Sequence, residues 1–191
     1  ALLAAHPARP HLAKERGGRA EATVWFDAAR LPAASAARVN AGLSDAAASD
    51  DSDIRNTAHY GTALTSAGLA IAERTGATGK DLLGAMVIGY EAAGRIGDTR
   101  RGGRGGLHAS QLVAFGSAVA VARLLKLTDQ QTAHALGIVA TTMGGIAIGT
   151  NSWAREYMGS NASFCGVNAA LAASRGFTVN DDMLGAPGGY F

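Results

Sequence analysis

Small residues recur inside the long apolar stretches of this chain. Gly84, Gly89 and Gly94 share one stretch, and Gly116, Ser117 and Ala118 lie together in another. A glycine inside a helix costs roughly 1 kcal/mol relative to alanine, so its repeated use points to helices whose backbones approach closely and bury one another on several sides. The expected fold is therefore all-α: a compact bundle of small-residue-rich helices, with a minor extended element near the N-terminus.

Local signals divide the chain accordingly. Residues 2 to 16 read as a short helix interrupted by Pro7 and Pro10. Thr23-Val-Trp-Phe, followed by Asp27 and Leu31-Pro32, reads as a small extended or hairpin element and is the one convincing strand signal. The Ala-rich run 33–48 favours helix, ended by the Asp/Ser cluster at 49–53. Further helices are expected over 62–75, stopped by Gly76, and over 80–97, opened by the cap Thr78-Gly-Lys-Asp81. A glycine-rich loop follows over 98–107, then an apolar helix over 109–126. Thr128-Asp-Gln-Gln131 has the spacing of a capping box opening a helix from 129 to about 143, and a last helix is expected over 161–175 before Gly176. The stretch Ala133 to Gly149 falls slightly short of the roughly 20 apolar residues of a membrane span and is expected to be a buried helix.

The 191 residues suit one compact domain with a real core. A net charge of +2, from 17 basic and 15 acidic residues, argues against nucleic acid or an anionic membrane as partner, while leaving small carboxylates open through local arginines. The lone Cys165 cannot form an internal disulfide and reads as a small core residue in a reducing, cytoplasmic setting. The start at Ala1 shows no signal-peptide pattern. A beginning without methionine and an end at Gly188-Gly-Tyr-Phe191 suggest a fragment of something longer.

Against this apolar background the groups able to move protons near neutral pH gather in two loops. One reads Ser49-Asp-Asp-Ser-Asp-Ile-Arg-Asn-Thr-Ala-His59-Tyr-Gly61; the other, Arg104-Gly-Gly-Leu-His108, ends 49 residues after His59. The acidic cluster Asp50-Asp51-Ser52-Asp53 is either a hard-cation site, although it lacks EF-hand spacing, or a solvated cap between helices. No His-x-x-His or His/Cys grouping accompanies the histidines, so no metal is assigned. Loop histidines near arginines suit an acid and a base working on a carboxylate. The tract 100–106 lacks the repeats and aromatics of an RNA-binding segment and the Lys-Ser/Thr of a phosphate loop, leaving a loop that brings His108 toward an anion. Arg155 has the chemistry to hold a carboxylate bidentately, against a default of a surface ion pair. His134, in an apolar helix, reads as structural; His6 and His11 carry no signal.

An ordered series of segments resembles the MmgE/PrpD family, which includes 2-methylcitrate dehydratase, cis-aconitate decarboxylase and iminodisuccinate epimerase. The series comprises Ala36-Ala-Arg-Val-Asn40, Asp50-Asp51, His59-Tyr-Gly61, Leu69-Ala-Ile-Ala-Glu73, Gly89-Tyr-Glu91 with Arg95-Ile96, Gly106-Leu-His108, Leu124-Leu125 with Ala135-Leu-Gly137, and Gly166-Val-Asn-Ala-Ala-Leu-Ala172 with Gly176-Phe-Thr178. It runs from about Thr23 onward. The resemblance implies that Asp50, Asp51, His59 and His108 line an active site in a large helical domain. It also sets Arg155 where the family carries a lysine, Met158 where a histidine is expected, and Tyr60 in place of a proline.

The resemblance further implies a cofactor-independent lyase, dehydratase-like, that removes a proton next to a carboxylate of a small di- or tricarboxylate. Arg155 and Arg104 would hold carboxylates. His59 and His108 would share base and acid duties, and Asp50 or Asp51 would orient an imidazole or bind substrate. An epimerase of the same family and a non-catalytic helical binding or oligomerisation module are the alternatives. Family analogy adds a homodimer and a smaller α/β domain, expected to be missing from a trimmed or split large domain spanning 1–191.

Overall fold

The computed structural model describes residues 18–99, 106–142 and 144–191. Among these, a two-stranded antiparallel hairpin, β1 (Ala22–Thr23) and β2 (Arg30–Leu31), precedes six α-helices. The helices are α1 (Ala33–Ala47), α2 (Tyr60–Thr75), α3 (Gly79–Asp98), α4 (Ser110–Leu124), α5 (Asp129–Thr142) and α6 (Ala154–Ser174), with a 3-10 turn at Ala147–Asn151 before the last. The expectation of an all-α bundle with a minor extended element holds. The helix expected over 2–16, most of the glycine-rich loop and Arg104 lie outside the described residues.

Every residue of α4 except Arg123 is buried, which is the pattern of a helix surrounded by others rather than one lying on a surface. α3, α6, α2 and α5 pack around it, and α1 closes the far side against α6 and α2. Such crowding requires backbones to touch. A Cβ on Gly89 of α3 would stand 2.6 Å from the Gly116 carbonyl of α4, and one on Gly116 would stand 2.9 Å from the Gly89 carbonyl. Gly166 of α6 meets the other side of α4 in the same manner, 2.8 Å from the Ala118 nitrogen. Here the small residues noted in the sequence are the contact itself.

The helix ends follow local chemistry. Thr78 and Asp81 exchange a reciprocal capping box at α3, and Thr128 and Gln131 exchange another at α5. Gly76, with φ of 68°, closes α2. The hairpin is docked by buried Asn40, whose Nδ2 donates to the Thr23 carbonyl at 2.9 Å and whose Oδ1 accepts from Trp25 N at 2.9 Å. His134 is structural in effect: its Nδ1 accepts from Val179 N at 3.3 Å and ties down the C-terminal segment. Cys165 is buried, its thiol donating to the Thr142 carbonyl at 3.5 Å. Among the described residues no helix is long and apolar enough to cross a membrane.

Two boundaries correct the sequence reading. No single buried helix covers 133–149: α5 stops at Thr142, and its burial is confined to Ala135, Gly137 and Val139. Helix α6 begins at Ala154 rather than near 161. Gly159, Ser160 and Asn161 are poor helix formers, but burial of Met158, Gly159 and Ser160 outweighs their propensity.

The α3–α4 contact makes a paired prediction. Gly116→Ala meets the Gly89 carbonyl and the Ala93 Cβ, neither of which can swing aside, and is expected to destabilise by about 1–3 kcal/mol, lowering the Tm by roughly 3–10 °C. Gly84→Ala on the same glycine-rich helix α3 meets open space and is expected to stabilise by roughly 0.5–1 kcal/mol. Thermal melts followed by circular dichroism measure both signs.

Candidate active site

The loop between α1 and α2 is held by ionic and aromatic contacts. Asp53 is buried and receives Arg55 through Nη2 at 2.7 Å, which keeps the carboxyl below its ordinary range. The same guanidinium reaches Glu91 and Asp98 of α3, each at 3.6 Å. Tyr60, fully buried, donates to Asn56 Oδ1 at 2.9 Å and meets the Tyr90 ring edge-on at 4.9 Å. A proline at this position would provide neither contact. These anchors fix how the loop enters α2.

Asp51 serves that entry in two ways. Its carboxylate accepts from Gly61 N at 2.9 Å, satisfying an orphan donor in the first turn of α2, and accepts from the Tyr90 hydroxyl. Burial and that bond to an anion together hold the Tyr90 phenol protonated well above its ordinary range. Gly61 has no side chain to spare, because the Asp51 carboxylate occupies the volume a Cβ would need. The Asp51 backbone carbonyl lies 2.5 Å from His59 Nδ1. A carbonyl can only accept, so Nδ1 carries a proton and the neutral ring keeps its lone pair on Nε2.

His108 is set by a different device. The chain after α5 turns back, so that Leu107 and Ile146 form an antiparallel bridge, His108 N donates to the Gly145 carbonyl at 3.1 Å and Ala147 N donates to the Gly106 carbonyl at 2.7 Å. Gln111 Nε2 donates to the same Gly145 carbonyl at 3.3 Å. Within the turn, Ser110 N donates to His108 Nδ1 at 3.2 Å. That nitrogen is therefore the acceptor, and the neutral ring carries its proton on Nε2. The two imidazoles have opposite tautomers.

Both rings line one cavity of about 180 Å³, together with Thr62, Ser110, Thr150 and Asp45. His59 directly precedes α2 and His108 lies two residues before α4, so the positive ends of two helices meet at this cavity. Asp45, 7% exposed, is the residue that sequence reasoning missed. Its Oδ2 takes no hydrogen bond, and Arg155 Nε stands 3.5 Å away as an ion-pair contact. Gly159 allows the approach, since a Cβ there would lie 3.3 Å from Asp45 Cγ. Burial pushes the Asp45 carboxyl from the usual 3.8 to about 6; Arg155 and His59 oppose the rise, while Asp50 and Glu156 add to it.

The remaining sequence candidates sit behind this wall. Arg155 donates through Nη2 to the Asp45 carbonyl at 3.0 Å and to Glu156 Oε1 at 3.1 Å. One guanidinium thus serves two buried carboxylates, and it lies outside the cavity lining. Asp50 is half-buried, also outside the lining, with its carboxyl raised by burial against the pull of nearby His59 and Arg155. The structure therefore brings His59 and His108 together, gives Asp51 a supporting place, and leaves Asp50 and Arg155 behind Asp45. Asp45 escaped notice because it stands in the Ala-rich run of α1, five residues before the acidic cluster, and nothing in local spacing marks its burial.

Compared with models of known families, the chain matches the MmgE/PrpD N-terminal domain over residues 4–191. No curated protein gives a significant match.

The shifted Asp45 carboxyl makes stability depend on pH. Between about pH 4 and 6 the folded protein binds a proton that the unfolded chain has released, so stability falls as pH rises through that window. The shift corresponds to about 3 kcal/mol, fully expressed above pH 6. Asp45→Asn, which mimics the protonated form, is expected to raise stability relative to wild type by about 2–3 kcal/mol more at pH 8 than at pH 3.5. Urea melts at the two pH values measure the difference.

Proposed function

The chain belongs to the MmgE/PrpD family, and on that premise we propose that it forms the proton-transfer half of a cofactor-independent lyase, dehydratase-like, acting on a small di- or tricarboxylate. The observation that carries this reading is the convergence of two oppositely protonated imidazoles on one small cavity. His59 Nε2, with its lone pair, is the base that removes the proton next to a substrate carboxylate. His108 Nε2–H is the donor for the negative charge that then develops on the carboxylate oxygens. The cavity is smaller than the roughly 300–1,000 Å³ typical of drug-sized ligands, which suits a compact acid. The two helix N-termini favour its negative charge.

Supporting roles follow from position. Asp51 orients His59 through its main-chain carbonyl and secures the start of α2 through its carboxylate. Arg155 contributes positive potential from behind Asp45, where the resemblance had suggested a direct carboxylate clamp. Arg104, the smaller α/β domain, a homodimer and a cytoplasmic setting belong to the same reading by family analogy. An epimerase would use the same proton abstraction without elimination.

The test is deuterium exchange from heavy water into malate, citrate and 2-methylcitrate, with the chain alone and with the family's α/β domain supplied. Exchange at the carbon next to a carboxylate is expected, falling by about 10²–10⁴-fold in His59→Ala. His108→Ala is expected to slow it by about 10²–10³-fold. Exchange without loss of water assigns the epimerase. No exchange with any of the three acids, in either form of the protein, assigns the binding or oligomerisation module instead.

A further inference from the structure

We propose that Asp45 is a catalytic acid of this cavity, entering the reaction as a carboxylic acid and passing its proton to the β-hydroxyl that leaves the substrate. The proposal rests on the lyase reading and adds the acid that elimination needs. His108 is already committed in that reading: its Nδ1 accepts from the Ser110 amide, and its Nε2–H is given to the charge developing on the substrate carboxylate.

Three features of the geometry bear on a proton at Asp45. It lines the same cavity wall as His59 and His108. Its Oδ2 is sealed from solvent and takes no hydrogen bond, with Arg155 Nε beside it at 3.5 Å, so no water solvates a charge on that atom. The charges around it are divided: Asp50 from the loop after α1 and Glu156 from α6 favour the proton, while His59 from that loop and Arg155 from α6 oppose it, and the Arg155 guanidinium is shared between Asp45 and Glu156. A bound di- or tricarboxylate adds negative charge to this set and holds the proton in place more firmly. The upward shift of the Asp45 carboxyl agrees with the same picture.

The step balances. His59 Nε2 takes the proton next to the carboxylate, and the electron pair of that C–H bond becomes the new C=C bond. The C–O bond to the β-hydroxyl breaks with its electrons on oxygen, which departs as water carrying the Asp45 proton. His59 is left as imidazolium and Asp45 as carboxylate, and transfer of one proton from the first to the second, directly or through solvent, resets the pair.

The experiment compares wild type with Asp45→Asn in whichever form of the protein supports exchange with malate, citrate or 2-methylcitrate. Asn keeps the shape and cannot donate an acidic proton. Loss of water is expected to fall at least about 100-fold, while deuterium exchange next to the carboxylate stays within about 3-fold. The high-pH limb of the wild-type kcat/KM profile is expected to vanish, and Asp45→Glu to recover part of the elimination. Water loss within about 3-fold of wild type in Asp45→Asn, with the limb intact, overturns the proposal. Exchange and water loss falling together also overturn it, since Asp45 would then shape the site rather than supply a proton. Absence of exchange in wild type removes the lyase reading itself, a failure separable from either of these.

Discussion

Contact between the backbones of α3 and α4 at Gly89 and Gly116 governs the rest of the structure. Once those helices touch, α4 has no exposed face except at Arg123, and its polar ends must be served by the loops before and after it. The same holds for α2, whose residues from Tyr60 to Ala72 are mostly buried. Titratable groups cannot lie along such helices without partners, so those of the cavity collect at helix ends: His59 and His108 before the beginnings of α2 and α4, and Asp45 in the last turn of α1. The chemistry of the cavity follows from the packing beneath it.

Most of the fold is legible in the sequence because caps, stops and small residues act locally. The boxes at Thr78 and Thr128 and the stop at Gly76 work through neighbours three or four positions away, and each helix edge they mark agrees with the structure to within a residue or two. The failures came where distant contacts overrode local preference. The first turns of α6 carry Gly159, Ser160 and Asn161, and their helical state depends on burial against the rest of the bundle. The turn after α5, with its bridge to Leu107, pairs segments nearly forty residues apart and leaves no periodic trace.

The site divides in the same way. His59 and His108 were legible because imidazoles in glycine-containing loops stand out in an apolar chain. Asp51 was legible as a residue but its part in the structure was not, since the bond it gives His59 comes from the main chain. Asp45 was hidden because its significance depends on what surrounds it: Arg155, 110 positions away, and a glycine at 159 that lets α6 come near. Spacing reports which groups share a segment; it is silent on which carboxyl is stripped of water.

The Asp51 carbonyl has one more implication. Because the acceptor that fixes the His59 proton belongs to the peptide group, every amino acid at position 51 carries the same atom. The tautomer is thus insulated from genetic drift in side-chain chemistry there, and depends only on the path of the chain. Lineages that replace Asp51 can retain the lone pair aimed at the substrate, provided that another donor or acceptor restores the turn into the helix.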